Sequence, residues 1–295
     1  MTFKIMTDTS ANLPSAFLRE HGVGVIPFTY SYDGADHTCL ETEAFEDGEG
    51  ECYYAALKDG LRVTTSQITP QAYCEAFTPL LEGGEDVLFI SMSSGISNSF
   101  NSSVVAAEQL REAFPGRVIR TVDTLAASLG EGKAVLRAIE CRDRGMSLDE
   151  TADLIEAERQ SLYQGVVLDD LMFLHRGGRV SAPKALLGTV LGIRPILKGD
   201  ENGHLVVCGR ARGRKRAFEQ LIAKYRDHVD RSKKQTVGIA YTDCPEDARA
   251  LRDSLAAIHD PGEFLIVRYE PVTGSYVGPG TVALFFEGAD GVRKF

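Results

Sequence analysis

The sequence predicts an α/β protein of two domains, an N-terminal doubly wound and mainly parallel sheet followed by a C-terminal α+β domain with a mixed or antiparallel sheet. Short apolar runs alternate with helical stretches through the first half, which is the pattern of a parallel sheet with crossover helices. After Gln164 the texture changes to Gly-rich turns, shorter helices and strand-like runs such as Ile193-Arg-Pro-Ile-Leu, His204-Leu-Val-Val-Cys and Gln235-Thr-Val-Gly-Ile-Ala-Tyr. The length, 295 residues, exceeds that of most single domains. A boundary near residue 163 gives an N-terminal domain over 1–163 and a C-terminal one over 164–295.

The elements follow in order. Phe3-Lys-Ile-Met reads as a strand ending at Thr7-Asp-Thr-Ser, with Pro14 in the first turn of a helix. Val23 to Tyr30 reads as the next strand, and Asp33-Gly34 as a hairpin turn. Ala72, Ala76, Phe77 and Leu80 give helical spacing over Gln71 to Leu81. Asp86-Val-Leu-Phe-Ile reads as a buried parallel strand, and the stretch from Val104 to Arg111 as a helix. Between them lies a serine-rich loop, Ser91 to Ser103. Arg117 to Val122 forms another strand ending at Asp123-Thr124. Helices follow to Arg144, and from the capping box Ser147 to Glu150 on to Arg159. In the second half, Asp200 to Gly203 reads as a β-hairpin.

Composition excludes several function classes. With 42 acidic against 32 basic side chains the formal net charge is −10, which argues against nucleic-acid binding. No apolar run is long enough to span a membrane, and Met1-Thr-Phe-Lys leads into a strand with no signal peptide, so the chain reads as cytoplasmic and soluble. The six cysteines never form a C-x-x-C pair, and the six histidines include no H-E-x-x-H. No metal site is expected.

Ligands of doubly wound sheets sit outside the carboxyl ends of the strands. Asp8-Thr-Ser, Ser91 to Ser99 and Asp123-Thr124 all belong to that edge. Free N–H groups and the positive end of a helix dipole suit an anion there. The loop has no lysine and no phosphate-loop string, so a small oxyanion such as a carboxylate fits it better than a nucleotide. Thr64-Thr65-Ser66-Gln67 is a second hydroxyl cluster, which either converges on the same ligand or merely caps the helix near Pro70. Gly95-Ile-Ser97-Asn-Ser99 half-matches a nucleophile elbow but lacks its closing glycine, and none of His175, His204, His228 and His259 sits in a triad context. Further along, Arg179 follows a Gly177-Gly178 turn, where it either fixes the turn or faces an acid. Five cations, Arg210, Arg212, Arg214, Lys215 and Arg216, stand before a helix where the dipole disfavours them; they form either a solvated face or a surface for an external partner. The string from Gly274 to Thr281 reads as a turn or as a rigid loop closing over a ligand.

Seven strings, taken in order, resemble the DegV family of fatty-acid-binding proteins: Thr7-Asp-Thr-Ser, Thr65-Ser-Gln, Ser93-Ser-Gly-Ile-Ser97, Val122-Asp-Thr, Leu174-His-Arg-Gly-Gly-Arg-Val-Ser, Arg212-Gly-Arg-Lys-Arg and Gly278-Pro-Gly-Thr. The resemblance covers nearly the whole chain. It implies two α/β domains enclosing one long-chain fatty acid in a buried tunnel between them, with the carboxylate held by Thr65 and Ser97 and with Ser66, Arg179 and Tyr276 as secondary contacts. It also implies no catalytic residue, no metal and no cofactor beyond the bound acid, and a role as acyl carrier to a fatty acid kinase subunit, for which Arg210, Arg212 and Arg214 are the partner-facing candidates. Three positions depart from the family pattern. Its S-G-T reads Ser97-Asn98-Ser99, its histidine before G-P-G reads Tyr276, and Ile68 stands in place of a proline. The alternatives are a serine hydrolase or esterase using Ser97, and a sensor or scaffold with no bound lipid.

Overall fold

A computed structural model gives the fold of the chain, and it describes residues 3–181 and 192–295. The sequence also predicts a helix opening at Ala182-Pro183 behind a serine cap at Ser181, and it lies outside the described residues.

In chain order, β1 (Lys4–Asp8) is buried from Ile5 onward and runs through a single turn into α1 (Ser15–Glu20) and β2 (Gly24–Ile26). The continuous strand expected from Val23 to Tyr30 is broken around Pro27, which has no N–H to give a ladder. There β2 pairs in parallel with β1, whereas β3 (Thr29–Tyr32) forms a separate hairpin with β4 (Ala35–His37). Asp33 and Gly34 between them adopt φ of 50° and 78°, as the expected hairpin turn requires. Then come α2 (Thr42–Ala44), α3 (Gly50–Lys58) and β5 (Thr64–Ser66), which pairs with β3. Next are α4 (Pro70–Glu82), the wholly buried β6 (Val87–Ser91), α5 (Ser99–Ala113) and β7 (Ile119–Asp123). The run closes with α6 (Leu129–Asp143) and α7 (Leu148–Glu158), the latter entered through the predicted Ser147–Glu150 capping box.

The remaining elements are β8 (Leu162–Val167), α8 (Met172–Arg176), β9 (Ile193–Gly199), β10 (Leu205–Arg212) and α9 (Arg214–His228). They continue with β11 (Gln235–Tyr241), α10 (Pro245–Ala256), β12 (Gly262–Arg268), α11 (Pro271–Val277) and β13 (Val282–Glu287). Helix α9, at 15 residues, is as long as α5, so the second half is not marked by short helices. Gly274 to Val277 lie inside α11, not in a loop.

The chain forms two units, one of residues 1–43 and 64–159, the other of 44–63 and 160–295. The single crossing expected near 163 is therefore one of three. The sequence of α3 gives no sign of its membership, which tertiary bonds within the second unit decide. The Tyr53 and Tyr54 hydroxyls donate to Pro271 O at 2.8 Å and Tyr269 O at 2.7 Å, and Lys58 pairs with Asp243 at 2.5 Å. The first unit holds the parallel sheet β2-β1-β6-β7 and the small antiparallel sheet β4-β3-β5. Helix α4 packs on α5 and α6 on α7. In the second unit the order is β10-β9-β8-β13-β11-β12, antiparallel except for the β11–β12 pair. Its core gathers Tyr163, Tyr225 and Phe286 with the aliphatic faces of α9 and α10.

Candidate functional site

In the four-stranded sheet β2 lies to one side of β1, while β6 and β7 lie to the other. The order therefore reverses between β1 and β6, the kind of switch point outside which ligands of open α/β sheets bind. The Thr7-Asp8-Thr9-Ser10 segment and the serine loop leave at that point.

Two carboxylates hold the serine loop. Asp8 Oδ2 accepts Met92 N–H at 3.3 Å, and Asp123 Oδ1 accepts Ser94 N–H at 3.1 Å and Leu125 N–H at 3.0 Å. Ser93 N–H donates to Ala126 O at 2.8 Å. The segment that supplies this carbonyl contains Leu125 and Ser128, both at φ 54°. Side chains other than glycine rarely occupy that region, and such outliers concentrate at functional sites. Behind the end of β1, Glu131, fully buried on α6, accepts the Thr7 hydroxyl at 3.0 Å on Oε1 and the Ser10 hydroxyl on Oε2. The neighbouring Gly132 permits that approach, since a Cβ there would stand 2.5 Å from Ala11 O. Burial raises the Asp8 carboxyl to about 6 against the backbone N–H groups of Ser10 and Met92, which lower it. Glu131 is pushed well above the ordinary carboxylate range, first by burial and then by the charge of Asp8. Burial, followed by the charges of Asp8 and Glu131, also raises the Tyr73 phenol, so it stays neutral.

Ser97 is buried, and its hydroxyl donates to Ser99 Oγ at 2.9 Å. Among the described residues no hydrogen bond joins this hydroxyl to an imidazole. Thr65 lies at the centre of β5, opposite Tyr30, with its side chain half-buried, and Ser66 is exposed. Neither caps α4. Thr69 does so, accepting Ala72 N–H at 3.2 Å. The two hydroxyl clusters are joined, because Ser99 Oγ accepts Ile68 N–H at 3.1 Å and Gln67 Nε2 reaches Ser102 Oγ at 3.5 Å. Two of the departures from the family pattern, Ile68 and Ser99, thus meet in one bond.

Arg179 and Tyr276 belong to the second unit and pair with each other. The guanidinium lies 4.6 Å over the tyrosine ring and donates to Gly177 O at 2.5 Å. A Cβ on Gly177 would stand 2.4 Å from Tyr276 Cδ1, so this glycine serves close packing, while Gly178 supplies the φ of 72°.

The basic run divides. Arg214 is not in front of a helix but at the first position of α9, and it pairs with Asp169 at 2.8 Å and with Asp247, and donates to Gly280 O at 2.7 Å. These carboxylates answer the dipole mismatch inferred from sequence and make Arg214 an internal tie. Arg210, Arg212, Lys215 and Arg216 are exposed and form no ion pair among the described residues. Arg210 and Arg212, two apart on β10, share one face of the edge strand.

Sequence reasoning marked Asp8, Ser99 and Asp123 as edge residues but gave them no role, and it missed Glu131. A strand-end aspartate followed by Thr or Ser signals Asp8 and Asp123. Nothing local signals Glu131, which lies in an ordinary helical stretch. Among the described residues no cluster of three or more groups stands ready to hold a metal, and no helix is long and apolar enough to cross a membrane.

One unit with a mixed sheet and one with a parallel sheet, the latter carrying a hydroxyl-rich edge at its topological switch point, define a class of two-domain α/β proteins. The chain belongs to the DegV family, whose model, described as uncharacterised protein, DegV family, matches residues 2–289. A DegV domain-containing protein of Streptococcus pyogenes is 35% identical over 288 residues, covering 98% of this chain and 99% of the relative. A DegV family protein from Thermus thermophilus, described for its fatty acid binding, superposes with a TM-score of 0.85 at 31% identity, covering 98% of this chain and 100% of that one. A fatty acid binding DegV family protein of Streptococcus agalactiae gives 0.83 at 26% identity, covering 98% and 99%.

Proposed function

We propose that this chain binds one long-chain fatty acid, holds its carboxylate with the hydroxyls of Thr65 and Ser97, and hands it to a kinase subunit without catalysing a reaction itself. The observation that carries the reading is the joined pair of hydroxyl clusters at the sheet's switch point. The fatty acid binding described for the Thermus thermophilus and Streptococcus agalactiae proteins supports it. Each methylene buried contributes about 0.8 kcal/mol before entropy losses, so the acyl tail supplies the affinity. A buried carboxylate costs several kcal/mol, and hydrogen bonds to a charged acceptor return about 1.5–3 kcal/mol each. The hydroxyls therefore orient the ligand more than they tighten it.

Denaturing extraction of purified protein followed by mass spectrometry is expected to release long-chain fatty acid. Thr65→Ala and Ser97→Ala are each expected to lower the retained amount while the melting temperature of the delipidated protein stays within a few degrees. Well-folded protein that carries no acid and takes up none when offered it would defeat the reading. Ester turnover lost in Ser97→Ala and kept in Thr65→Ala would establish the hydrolase alternative instead.

A further inference from the structure

Ser99 is hydrogen-bonded both to Ser97 and to the segment that follows Thr65. It is fully buried at the first position of α5. Its Oγ accepts Ile68 N–H at 3.1 Å and the Ser97 hydroxyl at 2.9 Å, and its own N–H donates to Ser97 Oγ at 3.2 Å. Ile68 is buried and follows Thr65 by three residues in sequence. One hydroxyl therefore joins the segment leaving β5 to the loop that carries Ser97.

The same hydroxyl governs the direction of the Ser97 proton. Ser97 has a single O–H, and in the structure it points to Ser99. When a carboxylate accepts the Ser97 hydrogen bond in place of Ser99, Ser97 Oγ keeps one lone pair free beside the Ser99 N–H it already accepts, and the Ser99 O–H can rotate to donate into it. The carboxylate then ends a chain of two donors, each polarised by the one behind it. The exchange needs rotation about two C–O bonds and no displacement of the backbone.

We propose that Ser99 is a positioning residue for carboxylate recognition: it ties the Thr65 segment to the Ser97 loop and acts as the donor behind Ser97. This rests on the fatty-acid reading above. The readout that separates positioning from general support of the fold is discrimination between an acid and a neutral ligand with the same tail.

Delipidated protein is titrated with hexadecanoate and, separately, with hexadecanol. Ser99→Ala is expected to weaken hexadecanoate binding about tenfold, the loss of one hydrogen-bond link to a charged acceptor, and to leave hexadecanol binding unchanged. Ser99→Thr, which keeps the hydroxyl, is expected to retain hexadecanoate binding within about threefold of wild type. Should Ser99→Ala not fold, Ser99→Cys, of similar size but with a weak donor, is held to the same criterion. Equal weakening of acid and alcohol, or failure of Ser99→Thr to preserve acid binding, overturns the positioning role. Wild-type protein that binds neither probe sinks the fatty-acid reading itself, whereas acid binding shared by wild type and Ser99→Ala sinks only the role of Ser99.

Discussion

Asp8 and Glu131 are two carboxyls buried together at the end of β1, and burial holds both above the ordinary carboxylate range. Like charges so close in a dry site favour retention of a proton. The sign for stability follows from linkage. An acid whose folded-state value is raised contributes no penalty while both states are protonated, and it destabilises the fold increasingly as pH rises from the unfolded value through the folded one. For Asp8 that interval runs from 3.8 to about 6, and Glu131 extends it upward. Glu131→Gln keeps an acceptor for Thr7 or Ser10 and removes the second charge. The melting temperature of wild type is therefore expected to fall more steeply than that of Glu131→Gln as pH rises from about 5 to 8. Parallel profiles for the two proteins would show that the pair is not protonated in the fold. Asp8 was legible in the sequence as a strand-end aspartate. Glu131 was not, because its partners Thr7 and Ser10 lie more than a hundred residues away.

Among the elements, α9 shows how a local reading of charge can point at the wrong residue. Arg214, Lys215 and Arg216 occupy the first turn of the helix, where positive charge is unfavourable. The dipole rule correctly marked an anomaly, but Asp169, from the segment after β8, and Asp247, on α10, compensate it at Arg214 alone. Arg214→Ala leaves two half-buried carboxylates without that partner and is expected to cost on the order of 2 kcal/mol in chemical denaturation. Glu in place of Arg210, Arg212 and Arg216 is expected to change stability by less than about 1 kcal/mol. If the exposed arginines steer a kinase subunit, that triple variant lowers its rate of acyl phosphorylation, and wild-type coupling weakens as salt rises. Coupling unchanged at low salt would leave the run a solvated face. Helices and hairpins with strong local chemistry, such as α7 behind Ser147 and the turn at Asp33-Gly34, were legible from sequence. The assignment of β2 and β3 to different sheets on either side of Pro27 was not, since pairing partners decide it, and neither was the helical state of Gly274 to Val277, whose Gly-rich string reads locally as a turn.

At the scale of the whole molecule, a ligand that binds only the folded state raises stability by mass action, about 2.7 kcal/mol at a hundredfold excess over Kd. Added long-chain fatty acid is therefore expected to raise the melting temperature of delipidated protein by a few degrees, with no rise from a short-chain acid that keeps the carboxylate and lacks the tail. Equal stabilisation by both acids would mean that the tail is not buried. The sequence by itself determined the α/β class, the order of most strands and helices, and the hydroxyl-rich edge. These follow from periodicity, turn residues and caps, which act over a few residues. Tertiary structure alone decided that 44–63 joins 160–295, that Arg214 is an internal tie, that Ser99 links Thr65's segment to Ser97's loop, and that Glu131 lies behind the end of β1. Each of these depends on groups brought together by the sheets across long stretches of chain, and burial then sets the strength of their hydrogen bonds and the charge they carry.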